Sequence, residues 1–176
     1  VHLSDKFWAP RIETNRSVTI PFAFRQCEET GRVANFEIAG GLKQGTFCTK
    51  YPFDDSDVYK IIEGASYSLA QHSDPSLDKY LDELITKIAS AQEDDGYLFT
   101  ARTINPSSPI EMAGKDRWSN EQWSHELYNA GHLYEAAVAH YQSTGKRTLL
   151  DVSLKNADLI AKEFGPNKLR YVPGHQ

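Results

Sequence analysis

Apolar residues recur at helical spacing along most of the chain. Between residues 57 and 71 they follow the 3.6-residue rhythm of an amphipathic helix, at Val58, Ile61, Ile62, Ala65 and Leu69. The same rhythm predicts further helices over 76–92, 120–143 and 148–164. No segment shows the sustained alternation that is typical of a half-buried strand. The pattern therefore predicts an all-α protein.

The ends of these predicted helices carry the expected local signals. Asp74 before Pro75 is typical of a helix start, and Gly96 and Gly145 are typical of the turns that follow a helix. The region before Asp57 is less regular, with two helical stretches predicted on either side of an interruption at Pro21. Loops are predicted around the glycines at 40–45 and over 102–116.

The four regular helices form two hairpins of similar length. Repeated hairpins could build an open solenoid, or they could close into an (α/α) toroid whose inner helices point their N-terminal ends into a cleft. The polar starts at 54–57 and 123–125 fit inner helices, whereas 76–92 and 148–164 fit outer helices. Six hairpins need well over ~200 residues at usual helix and loop lengths. We therefore expect helical hairpins that form part of an (α/α) six-hairpin toroid, incomplete in this chain.

Charge and cysteine content narrow the function classes. The net charge of −5 shows no basic stripe, which argues against a nucleic-acid partner. No apolar run approaches the length of a membrane span. Cys27 and Cys48 lack the spacing of a zinc ribbon or a disulfide framework.

One polar surface stands out on the segment 117–145, which is predicted as a single long helix. His125, Asn129 and His132 are spaced i, i+4 and i+7, so they share one side of that helix. Buried imidazole and amide groups need hydrogen-bond partners, which can be protein groups or a polar ligand. The His-Glu-x-x-His zinc motif is excluded because Asn129 replaces its second histidine.

Other polar and aromatic residues admit two interpretations each. Glu63 and Glu135 lie mid-helix and are either acid/base carboxylates or, as we favour, structural partners. The acidic run at 54–57 is more typical of a helix cap than of a site. Trp118 and Trp123 either pack in a core or form platforms for sugar rings.

Five sequence blocks, taken together and in order, resemble a known enzyme family. They are FWAPRIETNR (7–16), FDDSDVYKIIEGASYSLA (53–70), AQEDDGYL (91–98), SHELYNAGHLYEAAVAHYQSTGKRTLLDV (124–152) and PGHQ (173–176). They resemble the N-terminal part of glycoside hydrolase family 127, the β-L-arabinofuranosidases. The resemblance implies a toroid followed by β-sandwich domains. It also implies retaining exo-hydrolysis of β-L-arabinofuranosides by a zinc-bound cysteine nucleophile and a glutamate acid/base.

The resemblance also assigns residues. It places sugar contacts on His125 and His175 and puts Asp57 near the same cleft. It places the catalytic residues and the zinc ligands beyond Gln176, so we expect no catalytic or metal-binding residue in this chain. Residues 1–176 would then be the N-terminal portion of a single toroid catalytic domain, inactive alone, with the other hairpins and any β-sandwich domains absent.

Two other functions remain open at this point. One is a non-catalytic hairpin module that binds a glycan or a protein partner. The other is a six-hairpin hydrolase for a different glycoside, against which the lack of a positive cluster near His125 counts mildly. We expect a carbohydrate partner of the arabinofuranoside type, and the sequence is compatible with a homo-oligomer. The compartment, bacterial cytoplasm or periplasm, is left undetermined.

Overall fold

Residues 3–169, which the computed structural model describes, form helices joined by short loops. Within this range the only β-type pairing is one isolated bridge between Phe164 and Leu169. The α-helices are α1 (Trp8–Thr14), α2 (Ile20–Glu29), α3 (Arg32–Ala39), α4 (Asp55–Gln71), α5 (Pro75–Ser90), α6 (Thr100–Thr103), α7 (Glu121–Ser124), α8 (Glu126–Thr144) and α9 (Thr148–Glu163). The predicted all-α class is confirmed. None of the helices in the described part of the chain could cross a membrane.

The N-terminal region is more regular than the sequence indicated. A π-helical stretch, Asn15–Thr19, joins α1 to α2 without a break, and Pro21 lies in the first turn of α2. Proline cannot donate a backbone hydrogen bond, so it is tolerated where the preceding turn is already widened. The predicted interruption at Pro21 is therefore wrong. Helix α3 was not predicted.

Helices α4 and α8 pack along each other over most of their length. The backbone N–H of Ser56 near the start of α4 bonds to Asn129 near the start of α8. Leu69 and Ser143, near the opposite ends, line one depression. The two helices are therefore parallel, with α5 and α9 behind them and in contact with each other. This is the arrangement predicted for inner and outer helices of a toroid.

The main core lies between these inner and outer layers. Its fully buried aliphatic side chains include Ile62 of α4, Leu133 of α8, Leu84 of α5 and Leu149 of α9. Burial of each such side chain stabilises the fold by about 1.5–3 kcal/mol. A second, smaller cluster around Tyr97, Phe99 and Trp118 anchors the loop region between α5 and α7.

The prediction of one helix across 117–145 is wrong. The chain forms a short helix, α7, and then His125 adopts a left-handed backbone conformation with φ of 57° before α8 begins. Trp118 also has a positive φ, of 62°. His125 therefore lies at the start of the inner helix and not one turn inside it.

Candidate functional site

The break at His125 is held by hydrogen bonds on both sides. A left-handed conformation costs a non-glycine residue about 1–2 kcal/mol, so it persists only where its surroundings compensate. The side-chain amide of Asn129 donates to the His125 carbonyl at 2.8 Å. The Glu121 carboxyl accepts from the Leu127 backbone N–H at 3.2 Å, across the break. These bonds fix the position from which the imidazole projects.

Glu126, directly after His125, is the buried anchor of this turn. Its carboxyl accepts hydrogen bonds from the Trp118 backbone N–H at 2.8 Å, the Ser124 hydroxyl at 3.3 Å and the Tyr97 hydroxyl. Burial, reinforced by the nearby carboxyl of Glu121, raises the pKa of Glu126 to about 8. The donors from three separate segments tie α8 to the loop that precedes it.

Half-buried rings line the surface beside His125. Its imidazole lies 5.2 Å from the ring of Phe53 and 5.9 Å from that of Tyr128, between ring centres. The Tyr128 ring meets His132 edge-on at 4.5 Å, and the ammonium of Lys60 lies 4.8 Å from the Tyr128 ring centre. We call these five residues the ring wall. It combines flat apolar faces with imidazole, hydroxyl and ammonium groups, which suits a sugar.

The acidic run at 54–57 does not cap α4 with a side chain, because its carboxylates bond to other elements. Asp54 and Asp57 both pair with Arg32, at 3.3 and 2.8 Å. Asp55 is fully buried and accepts from the backbone N–H and the hydroxyl of Thr100. Burial raises the pKa of Asp55 to about 7. The acidic run does lie at the N-terminus of α4, with Asp54 as the N-cap residue and Asp55 and Asp57 in the first turn, but Asp54 makes no side-chain capping hydrogen bond.

Asp57 lies at the same end of the inner helices as His125, yet its carboxylate faces Arg32 of α3. Its side chain is 43% exposed, so it stays accessible to a ligand. His175 lies outside the described residues.

The mid-helix glutamates have the structural partners favoured from sequence. Glu63 accepts from the Tyr67 hydroxyl at 3.2 Å. Glu135 pairs with His132 Nδ1 at 3.1 Å, and its side chain is 61% exposed. Their exposure and local pairing are typical of solvated helix faces.

The two tryptophans that the sequence left open behave differently. Trp118 is buried and meets the rings of Tyr97 and Phe164 edge-on, at 5.3 and 5.4 Å. Trp123 is 55% exposed on α7, two residues before His125. Only Trp123 is placed to offer a face to a ligand.

Neither cysteine fits the zinc-bound nucleophile that the family resemblance implies. Burial raises the pKa of Cys27 and of Cys48 to about 11, so neither is an activated thiolate near pH 7. Cys48 Sγ accepts from the Asn35 amide at 3.2 Å. In residues 3–169 neither cysteine belongs to a cluster of three potential ligands. The prediction that the zinc ligands lie outside this chain stays a prediction.

Sequence reasoning missed Phe53, Glu126 and Lys60 as contributors to this site. Phe53 was not predicted as a site residue because an isolated aromatic residue before a helix is common. Glu126 was considered only as part of a zinc motif, although its position beside His125 was a usable signal.

Parallel inner helices with a polar, ring-lined surface at their N-terminal ends, backed by outer helices, define part of an (α/α) toroid of the glycoside hydrolase type. A model of the family described as beta-L-arabinofuranosidase, GH127 catalytic domain, matches residues 1–176. The chain belongs to this family.

Individual relatives agree with that assignment. A non-reducing end beta-L-arabinofuranosidase of Bifidobacterium longum subsp. longum is 43% identical over 145 residues, which are 81% of this chain and 21% of the relative. A solved GH127 beta-arabinofuranosidase superposes with a TM-score of 0.94 and 52% identity, over 100% of this chain and 28% of its own. A GH127 beta-L-arabinofuranosidase from Geobacillus stearothermophilus T6 superposes with a TM-score of 0.91 and 39% identity, again over 100% of this chain and 28% of its own. The chain thus spans about a quarter of the length of these relatives.

Proposed function

We propose that the protein containing this chain is a retaining, exo-acting β-L-arabinofuranosidase, and that residues 1–176 supply part of its sugar subsite. The observation that carries the proposal is His125, held in a left-handed conformation among the rings of Phe53 and Tyr128. Its support is the similarity to a relative named as a non-reducing end beta-L-arabinofuranosidase.

Three residues of the ring wall, His125, Phe53 and Tyr128, contact the sugar in this proposal. The His125 imidazole hydrogen-bonds a sugar hydroxyl, and the break before α8 aims it from a fixed backbone position. The faces of Phe53 and Tyr128 pack against the apolar C–H surface of the furanose ring. His175 and Asp57 contribute further polar contacts, Asp57 through the exposed part of its carboxylate. Interactions that strengthen toward the transition state would raise kcat as well as affinity.

The groups that break the glycosidic bond lie, in this proposal, elsewhere in the protein. A retaining mechanism needs a nucleophile at the anomeric carbon and an acid that protonates the leaving oxygen. The described residues offer a protonated Cys27, a protonated Cys48 and the buried Glu126, whose carboxyl is engaged by three donors. These groups hold the fold and do not supply the two catalytic functions. The chain's own contribution is binding, orientation and exclusion of water.

One observation favours a different glycoside as the runner-up substrate. Lys60 brings a cation to the ring wall, where the sequence indicated no positive cluster, and an ammonium suits a uronate carboxylate. Arg117, eight residues before His125 in the sequence, is paired with Glu93 and Asp95. The Lys60 ammonium also donates to the Ser56 hydroxyl at 3.2 Å. A single cation with a local partner makes a weaker case than the family assignment.

The test is a substrate panel on the full-length protein. We expect kcat/KM for an aryl β-L-arabinofuranoside to exceed that for the α-L-arabinofuranoside and for a β-D-glucuronide at least about a hundredfold, which is ~2.7 kcal/mol. Proton NMR of the first-formed sugar should show the retained β anomer. Preference for the glucuronide would support the runner-up. Hydrolysis of none of the three would favour a non-catalytic glycan-binding module.

A further inference from the structure

A second polar cluster lies near the C-terminal end of the inner helix α8. It consists of Asp78 and Asp82, one turn apart on the outer helix α5, and His140 on α8. One ligand atom from each of these residues lies within 4.8 Å of the others. His140 follows His125 by 15 positions, or about 22 Å along a helix axis at ~1.5 Å per residue. The cluster therefore belongs to the opposite end of the fold from the ring wall.

His140 is buried without a hydrogen bond. It is 0% exposed, and within residues 3–169 neither Nδ1 nor Nε2 has a hydrogen-bond partner. Leaving a buried polar atom unsatisfied costs about 1–3 kcal/mol. Imidazole nitrogens are common ligands of metal ions.

The carboxylates of the cluster are bridged by a lysine. The Lys146 ammonium lies 2.7 Å from Asp78 Oδ1 and 2.7 Å from Asp82 Oδ2. One positive charge thus faces two negative charges, and within residues 3–169 the ammonium makes no hydrogen bond to either nitrogen of His140. The arrangement leaves both a net negative charge and an unpartnered imidazole.

The Lys146 side chain can move away from the two aspartates toward solvent. It follows Gly145, whose φ of 73° forms the turn after α8, and its side chain is 33% exposed. Asp78 and Lys146 also line an open depression of about 240 Å³. Rotation of the lysine toward solvent would open the cluster to that depression.

We propose that Asp78, Asp82 and His140 form a binding site for a divalent first-row metal ion of the zinc type, which displaces the ammonium of Lys146. Two carboxylate oxygens and one imidazole nitrogen make a ligand set that zinc accepts, with a fourth position left for water. Magnesium and calcium favour oxygen ligands alone, so the imidazole selects against them. The site departs from the expectation that this chain holds no metal ligands.

The required movement is small. Zinc ligands at about 2.0–2.1 Å in a tetrahedron are about 3.4 Å apart, so separations of up to 4.8 Å must close by about 1.4 Å. The two aspartates are partly exposed, with 37% and 45% of their side-chain surface accessible, and their carboxylates can rotate. The buried His140 stays in place.

The test compares zinc binding by the full-length protein and its variants after removal of metal with a chelator. Bound zinc is counted per chain by plasma mass spectrometry after dialysis, and affinity is measured by calorimetry. We expect Asp82→Asn and, separately, Asp78→Asn to lose one zinc ion per chain relative to the parent protein. The matched control is Asp151→Asn, which changes an exposed aspartate of α9 that pairs with Arg147, and this variant should lose none.

Lys146→Met separates a metal site from a permanent salt bridge. If the ammonium competes with the metal, its removal should tighten zinc binding at this site at least tenfold. Circular dichroism confirms that each variant is folded. Equal zinc content in the parent protein and both aspartate variants would overturn the proposal, and so would an unchanged zinc affinity in Lys146→Met. Neither the zinc content nor the zinc affinity depends on any glycosidase activity, so this test is independent of the proposed function.

Discussion

The side-chain oxygen of Asn129 accepts a hydrogen bond of 2.9 Å from the backbone N–H of Ser56, so one amide joins the starts of the two inner helices. The same amide donates to the carbonyl of His125. The amide oxygen of Asn129 thus aligns α4 with α8, and its amide nitrogen holds the left-handed residue His125. The position of His125 therefore depends on how the inner helices pack.

Asn129→Ala should loosen this junction. It removes both hydrogen bonds and leaves the Ser56 N–H with the Phe53 carbonyl, at 3.1 Å, as its remaining partner among the described residues. We expect the local free energy of opening to fall by about 1–2 kcal/mol. Hydrogen-exchange mass spectrometry on peptides that cover 53–60 and 124–132 measures this opening in the full-length protein. Asn105→Ala, at an exposed position, is the control and should change protection by less than ~0.5 kcal/mol. Equal protection in both variants would contradict the proposed role of Asn129.

Gly96→Ala should destabilise the loop that carries Tyr97. Gly96 has a φ of 102°, and an added Cβ would lie 2.4 Å from the backbone oxygen of Lys155 in α9. Strain and collision together should lower the stability of this region by at least ~2 kcal/mol, visible as a lower midpoint of thermal unfolding. Gly131→Ala on α8, where a Cβ meets nothing among the described residues, should be neutral or stabilising by up to about 1 kcal/mol. A midpoint for Gly96→Ala that matches Gly131→Ala would refute the steric argument.

Glu126 should make the turn at His125 sensitive to pH. Its folded pKa of about 8 lies above the ordinary value of 4.5, so the folded state favours the protonated carboxyl. The stabilisation is complete below pH 4.5 and is lost as the pH rises through about 8. The local free energy of opening should therefore decrease as the pH rises from 4.5 to about 8.

Glu126→Gln removes the titration while its amide oxygen still accepts a hydrogen bond. We expect the parent protein to lose protection in peptides over 117–128 relative to this variant as the pH rises from 5 to 8, after correction for intrinsic exchange rates. Glu135→Gln, a largely exposed glutamate of the same helix, should leave the pH dependence unchanged. Parallel pH profiles for the parent protein and Glu126→Gln would rule out this role.

Local pattern was enough to predict much of the helical layout. The apolar rhythm that includes Val58 and Ile62 and the turns at Asp74 and Gly145 placed three of the four long helices, and the end of the fourth, to within a few residues. This succeeded because the apolar positions and the end signals of each of these helices lie within its own segment of the sequence. Helix α3 was missed because it is short and carries the buried Asn35, whose amide serves Cys48. That amide depends on a partner 13 positions away, which no local pattern reveals.

The candidate site was only partly predictable for the same reason. His125 was found, but its left-handed backbone was not, because it is stabilised by Asn129 and by the buried Glu126, whose donors include Tyr97, 29 positions away. The pair Asp78 and Asp82 has the spacing of an ordinary solvated helix face. Only the tertiary fold brings His140 of α8 within 4.8 Å of them.

The sugar subsite assigned to the ring wall is tested most directly by His125→Ala in the full-length protein, with kcat/KM measured on an aryl β-L-arabinofuranoside. The matched control is His72→Ala, which changes an exposed histidine just after α4. We predict a loss of tenfold or more for His125→Ala, at least ~1.4 kcal/mol, and an unchanged value for His72→Ala. Equal kcat/KM in both variants and the parent enzyme would show that His125 makes no contact that matters to the reaction.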